Sequence, residues 1–206
     1  MTEQSLRDLL ERVRRVRICV VGDVCLDLYW HADMCQSRLS RETPHFPLPV
    51  VRETAEPGAA GNVACNALAL CPAAVTLVSA VSEDWRGFLQ RERLRAQGVE
   101  DSFLIRRRSG FTNCYCKPIR MGLSGVSSED PRLDFENTVP CSQEEEQLLL
   151  QALDRAAAGA DVIAVCDQFA NGVLTPAVRN RLRDLAERIP WWLTAASASI
   201  CFAALS

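Results

Sequence analysis

Apolar residues along this chain recur at two periods. From Met1 to Arg17, Leu6, Leu9, Leu10, Val13 and Val16 sit at helical spacing among charges, which predicts an amphipathic helix. Arg17 to Asp23 is a short continuous apolar run closing on Gly22-Asp23, the pattern of a buried strand that ends at a ligand crevice. Val24 to Trp30 continues extended and carries Asp27 and two aromatics. Residues 35–57 are polar and irregular. Within them, Phe46-Pro47-Leu48-Pro49-Val50-Val51 allows only an edge strand or extended chain, because proline cannot donate to a ladder. Pro57 to Asn62 opens a helix reaching about Leu70, with Val63, Ala64, Ala67 and Leu68 on its buried face. Val75 to Val81 reads as a strand, Asp84 as the cap of the next helix and Gly98 as its end.

The middle of the chain changes character. Phe103-Leu104-Ile105, Thr112 to Arg120 and Arg132 to Phe135 read as short strands separated by turns such as Gly122 to Gly125, an antiparallel flap set into the α/β order. Helix and strand then alternate again. Ser142 and Glu145 form a capping box before Leu148, Leu149, Ala152, Leu153 and Ala156. Asp161 to Cys166 is a strand ending at Asp167. Thr175-Pro176 caps a helix with Val178, Leu182, Leu185 and Ile189 on one face. The expected fold is a doubly wound, mostly parallel α/β sheet with a small β-sheet lid.

After Ile189 this order demands another buried strand, and the chain gives Trp191-Trp192-Leu193-Thr194 and a run of small residues instead. Tryptophan has a single codon, TGG. Read one base earlier after a proline codon ending in G, the pair becomes GTG GTG, and the shifted frame runs through valines to an aspartate codon. Residues 190–206 are therefore expected to be an aberrant, out-of-frame tail on a truncated domain.

Composition narrows the function. A hydrophobic content of 48% suits a globular core, and a net charge of −3 gives no reason to propose nucleic acid or an anionic membrane as partner. No stretch before the tail is long and apolar enough to span a bilayer, and the N-terminus lacks the apolar core of a signal peptide. The ten cysteines mostly stand singly in apolar segments, as small buried hydrophobes do in a reducing, cytoplasmic compartment. Cys114 and Cys116 share a strand face, but no second pair or nearby histidine completes a metal site.

The chemistry gathers at strand ends and one helix start. Asp23 and Asp167 close apolar strands, and Gly58 to Asn62 opens a helix. Glycines there let backbone N–H groups approach a polyol, and Asn62 offers both donor and acceptor. These residues suit a sugar site and suit equally a tight turn with a capping carboxylate.

Several strings together resemble the PfkB (ribokinase-like) carbohydrate kinases: Gly22-Asp23 with Leu26-Asp27, Arg38 to Pro44, Pro49 to Val51, and Gly58-Ala59-Ala60-Gly61-Asn62. Arg132 to Glu136 and Asp167-Gln168-Phe169 with Gly172 look closest to the heptose-phosphate kinase domain of ADP-heptose synthesis enzymes. The likeness runs from about residue 17 to 190. It implies one truncated ribokinase-like domain over residues 1–206, with lid segments at about 28–56 and 103–137. It implies ATP, with Mg2+, as phosphoryl donor to a sugar or sugar-phosphate hydroxyl, and a possible homodimer through the lid. It also implies that Asp23, Asp27, Gly58, Gly61, Asn62 and Asp167 lie on the sugar side, with Lys117 and Arg132 holding an anionic substrate. Ala59 stands where the family often has a second glycine. The family's Gly-Ala-Gly-Asp turn, which carries the general base and the anion hole, has no counterpart. Ala158-Gly159-Ala160-Asp161 precedes a strand instead of opening a helix. The chain alone is therefore expected to be inactive. Two alternatives are a non-enzymatic sugar-binding or lid-mediated dimerisation module, and an unrelated nucleotide-binding α/β domain. The second lacks a Gly-x-Gly-x-x-Gly string after the first strand.

Overall fold

The computed structural model describes residues 2–122 and 124–195. It contains two five-stranded sheets joined at one residue. The first is wholly parallel, in the order β10-β9-β1-β4-β5: β1 is Arg17–Gly22, β4 Ala74–Ser82, β5 Leu104–Arg107, β9 Val162–Asp167 and β10 Trp191–Ala195. Alternate side chains of its strands fill two cores, one on each face. Cys19, Val21, Val78, Ala80, Ile163 and Val165 pack under α4 (Gln143–Ala157) and α5 (Pro176–Ala186). Val20, Val75, Leu77 and Val81 pack under α2 (Ala60–Ala69) and Leu94 of α3 (Trp85–Ala96). This is the doubly wound arrangement the alternation predicts, and it explains why these strands read as continuous apolar runs.

The second sheet is ordered β3-β2-β6-β7, with β8 also paired to β6. Its strands are β2 Val24–Asp33, β3 Val50–Ala59, β6 Cys114–Met121, β7 Ser127–Glu129 and β8 Leu133–Phe135. Only Asp23 separates β1 from β2, so the chain steps directly from the core sheet into the lid sheet. Leu26, Leu28, Ala55, Cys114 and Cys116 form a third core on one face of it, packed against Leu89 of α3.

The lid differs from the sequence reading in two respects. β5 pairs parallel with β4 and so belongs to the main sheet, which moves the start of the second lid segment from 103 to about 114. Leu104 at 4% exposure shows why: its side chain is needed in the main core. The flap is also not purely antiparallel, since β6 runs parallel to β2 and antiparallel only to β7 and β8. At the other end, Trp191–Ala195 takes the strand position that the pattern assigned to a valine run. It pairs with β9, from Trp191 against Ile163 to Ala195 against Asp167. Residues 196–206 lie outside the described residues.

Local rules account for the helix ends. Thr2, Asp84, Ser142 and Thr175 each accept a first-turn N–H, and Ser142 and Glu145 complete the capping box. The α1 helix (Glu3–Val13) forms as its spacing predicts, but its apolar stripe of Leu6, Leu9 and Leu10 stays 40–46% exposed. α2 is the exception at both ends. Ala59 at its N-cap has φ 50°, ψ −126° and offers no side-chain cap, and Cys71 just past its C-cap has φ 55°. A Cβ is disfavoured in both conformations, most severely at Ala59, whose region is populated almost only by glycine. Ala59→Gly should therefore raise stability by about 1 kcal/mol or more, measurable as a higher urea midpoint at unchanged slope.

Asp161 ties the two central strands at their starting edge. Its carboxylate accepts the Arg17 backbone N–H at 2.8 Å and pairs with the Arg17 guanidinium at 2.8–3.1 Å. These bonds hold its pKa down at about 2, below the usual 3.8. A carboxylate depressed in the fold adds stability that is fully present above 3.8 and lost as pH falls through 2. Asp161→Asn should flatten the acid limb of stability in that window, read from urea midpoints along a pH series.

Candidate functional site

In an open parallel sheet, ligands bind at the carboxyl ends of the strands where their order reverses. Here that point lies between β1 and β9, and Asp23 closes it from within. One oxygen of its carboxylate accepts the N–H groups of Gln168 at 3.0 Å and Phe169 at 2.9 Å, and the other accepts Val173 at 2.7 Å. Its carbonyl receives the N–H of Ala60, at the start of α2, at 2.8 Å. The side chain is 2% exposed. Burial pushes its carboxyl up, against the pull of the three N–H groups, and nearby Asp167 adds to the rise. Two glycines make the closure possible. A Cβ on Gly22 would stand 2.0 Å from the Cys166 carbonyl oxygen, and one on Gly172 would stand 2.0 Å from the Asp23 carboxylate.

The structure gives both strand-end acids internal partners. Asp23 builds the 168–173 loop, and both of its oxygens already accept N–H groups. Asp167 is 4% exposed and ion-paired at 2.6 Å with Arg179, whose Nε donates to the Leu174 carbonyl at 2.8 Å. It anchors α5 instead of facing a ligand. Both are strand-end carboxylates made affordable by internal donors.

The polar groups that remain accessible lie on the open face of the lid sheet, opposite its apolar core. Asp27 and Tyr29 of β2 stand in register with Tyr115 and Lys117 of β6. The Lys117 ammonium lies 3.2 Å from the Asp27 carboxylate, donates to the Tyr29 hydroxyl at 3.1 Å and sits 4.7 Å above that ring. Burial alone would lower its pKa, but the Tyr29 and Asp27 contacts outweigh it and the net shift is upward. Arg132 binds Asp134 through two bonds of 2.5 and 2.7 Å and lies 4.0 Å over the Tyr115 ring. Asp27 contributes to its electrostatic environment.

The helix-start loop joins this face at one point. A Cβ on Gly58 would stand 2.5 Å from the Cys25 sulfur and 3.1 Å from the Asp27 carboxylate, so glycine lets Asp27 lie against the β3 backbone. Gly61 acts differently: a Cβ there would stand 2.8 Å from the Gln90 amide, which makes it a packing glycine between α2 and α3. Asn62, in the first turn of α2, is solvent-exposed and accepts from Asn66 at 3.2 Å. The structure thus gathers Asp27, Gly58, Lys117 and Arg132, keeps Asn62 exposed in the first turn of α2, and ties Asp23, Asp167 and Gly61 into the scaffold. Tyr29, Tyr115 and Phe169 were missed. Period-2 alternation could have found the tyrosines, because Asp27-x-Tyr29 and Tyr115-x-Lys117 place all four residues on single strand faces.

Among the described residues no three His, Cys, Asp or Glu side chains gather to hold a metal ion. Asp23 is filled by N–H donors, and Asp27 and Asp167 are neutralised by cations. Asp161 of the Ala158–Asp161 string is bound to Arg17 at the opposite end of the sheet.

The weight carried by Asp23 is open to test. Asp23→Asn keeps the shape but turns an amide NH2 toward one of the N–H donors. It should destabilise the fold by about 1–3 kcal/mol, with faster amide exchange at Phe169 and Val173 than in α4.

No family model matches the chain. In sequence it is 33% identical over 190 residues to the bifunctional protein HldE of Trichlorobacter lovleyi, covering 91% of this chain and 36% of the relative. HldE of a Bradyrhizobium strain is likewise 33% identical over 182 residues, covering 88% and 36%. The chain therefore spans about a third of the length of these relatives. Its fold matches phosphofructokinase-2 of Escherichia coli, solved with fructose-6-phosphate, at a TM-score of 0.59 and 14% identity, covering 87% of this chain and 54% of that one. It also matches ribokinase of Arabidopsis thaliana, solved with ribose and ATP, at 0.54 and 15%, covering 87% and 53%. In sequence the chain is thus a relative of the HldE proteins over about a third of their length, and its two sheets have the ribokinase-like fold.

Proposed function

We propose that this chain is the sugar-side part of a PfkB-type kinase and that its lid face binds a phosphorylated sugar. The observation that carries the reading is the Asp27–Lys117 pair, set beside Gly58 on the open face of the lid sheet. In the free chain the ammonium neutralises Asp27, so a neutral sugar would have to compete with Lys117 for the carboxylate. A sugar phosphate offers Lys117 a second anion. As the ammonium turns to the phosphate, Asp27 is released to accept from a sugar hydroxyl, and binding exchanges one ion pair for another instead of breaking one. Arg132 follows the same logic more weakly, because Asp134 already holds it at two points. Gly58 at the end of β3 and Asn62 in the first turn of α2 shape the other wall, with Asn62 donating to or accepting from a hydroxyl.

ATP with Mg2+ is the phosphoryl donor of the whole kinase in this proposal. The described residues supply neither the base nor the anion hole, which typically contribute roughly 10²–10⁴-fold and on the order of 10²–10³-fold to rate. The chain alone is thus a binding part in a cytosolic setting, in keeping with its free cysteines. A second reading, a homodimer through the lid, is favoured by exposed Val50, Val51, Leu133 and Phe135 on the lid strands.

Calorimetry with heptose 7-phosphate and the unphosphorylated heptose tests the proposal. The phosphate should bind about tenfold tighter or better, and Lys117→Met should remove the preference. Asn62→Ala should weaken binding of both by ~1–3 kcal/mol. Equal affinity for the two sugars, or none for either, overturns the sugar-phosphate reading. Sugar-dependent ATP turnover near roughly 1 s⁻¹, in the ordinary enzyme range, overturns the assignment as a binding part.

A further inference from the structure

Phe169 is 8% exposed, yet it belongs to none of the three apolar cores. Its ring partner is on the other sheet: the centroid lies 5.9 Å from that of Tyr115, with the planes at 43°. Tyr115 stands on the open face of the lid, opposite Asp27 in register, and carries the Arg132 guanidinium 4.0 Å from its ring. Phe169 stands on the loop that the Asp23 carboxylate holds at three N–H groups. The lid also meets the core where β1 steps through Asp23 into β2, where β3 runs straight into α2, and where α2 and α3 pack against β2 and β3, with Leu89 of α3 behind the sheet. Those attachments lie at the hinge end and on the packed face, and the Tyr115–Phe169 contact adds a tie on the open face that opposes tilting.

We propose that the Tyr115–Phe169 contact is the latch that fixes the lid sheet over the core, and that Tyr115 is a positioning residue for the sugar site. Through it the Asp23-held loop sets where Asp27, Lys117 and Arg132 stand. Burial raises the Tyr115 phenol's pKa, and the nearby Gln168 side chain pulls it the other way. The consequence for binding rests on the sugar-site reading. The latch itself rests on the ring geometry.

The chain has two tyrosines, so a Tyr29→Phe background leaves Tyr115 as the sole phenol for ultraviolet titration. In that background Phe169→Ala should let Tyr115 ionise roughly three- to tenfold more readily as its ring becomes solvated. In the otherwise native chain the same substitution should speed amide exchange across residues 114–121 by a similar factor, and Phe169→Tyr, which keeps the ring, should restore native exchange. If Phe169→Ala does not fold, Phe169→Leu carries both measurements, since it keeps bulk and removes the ring. An unchanged Tyr115 titration together with unchanged exchange in β6 overturns the latch. Calorimetry with heptose 7-phosphate separates the two readings. Binding weakened roughly three- to tenfold by Phe169→Ala and recovered by Phe169→Tyr supports the positioning role, and binding untouched while exchange rises overturns it. A native chain that binds no sugar phosphate sinks the sugar-site reading while the titration and exchange still decide the latch.

Discussion

The structure turns on one buried carboxylate. Asp23 is the single residue between the two sheets, and it touches every part of the molecule that converges there. Its own N–H reaches the Cys166 carbonyl at 3.1 Å, its carbonyl receives the start of α2, and its side chain gathers three N–H groups of the 168–173 loop. An ionised carboxylate at 2% exposure is costly unless donors surround it, and the folded loop exists to provide them. Cost and compensation are therefore inseparable. The loop is ordered because the charge is there, and the charge is tolerated because the loop wraps it. Glycine at 22 and 172 follows from the same demand, since any side chain at either position would occupy the space of a carbonyl or of the carboxylate itself.

The open lid face follows a different rule. Lys117 sits on Asp27, Arg132 on Asp134, and both cations lie over tyrosine rings. Asp27 and Lys117 are partly buried, with side chains 21% and 17% exposed, which makes their pairing stronger than a surface ion pair and still accessible to a ligand. A face of paired charges discriminates by exchange. Under the proposed sugar-phosphate reading it favours a molecule that presents an anion for the cation and hydrogen-bond donors for the carboxylate over one that presents only half of that set. The apolar face of the same strands gives the pairs a rigid base, because Leu26, Leu28, Cys114 and Cys116 alternate with the charged and aromatic residues and are at most 2% exposed.

At the edge of the main sheet, β10 shows how far strand pairing alone carries a segment. Trp191 packs against the core beneath α4 and α5, whereas Trp192, in register with Ala164, is 70% exposed. A parallel strand covered on both faces is built from small branched residues, and one covered on a single face alternates. Trp191-Trp192 follows the second rule at a position where the pattern of β1, β4 and β9 obeys the first. The backbone register is satisfied there, and side-chain burial is satisfied on one face only.

How much of this was legible in the sequence depended on whether the information was local. The strands, caps and helix faces were legible, because apolar periodicity and capping chemistry act within a few residues: Ser142 with Glu145, Thr175 with Pro176, and Asp84 behave as read. Asp27 beside Gly58 was legible as a candidate pair of residue types. The destiny of Asp23 and Asp167 was not. A strand-end aspartate looks the same whether it faces a crevice or is wrapped by a loop 145 residues away, and only the fold brings Gln168, Phe169 and Arg179 to the two acids. The strand β5 was misplaced for the same reason. Leu104 to Arg107 is too short for its pattern to tell a lid from a sheet edge, and its parallel pairing with Ser79 to Ser82 is a long-range fact. The residues hardest to read were Tyr115 and Phe169. Their meaning lies in a contact between two sheets that share no local pattern, so it emerges only once the Asp23 carboxylate has folded the loop that brings them together.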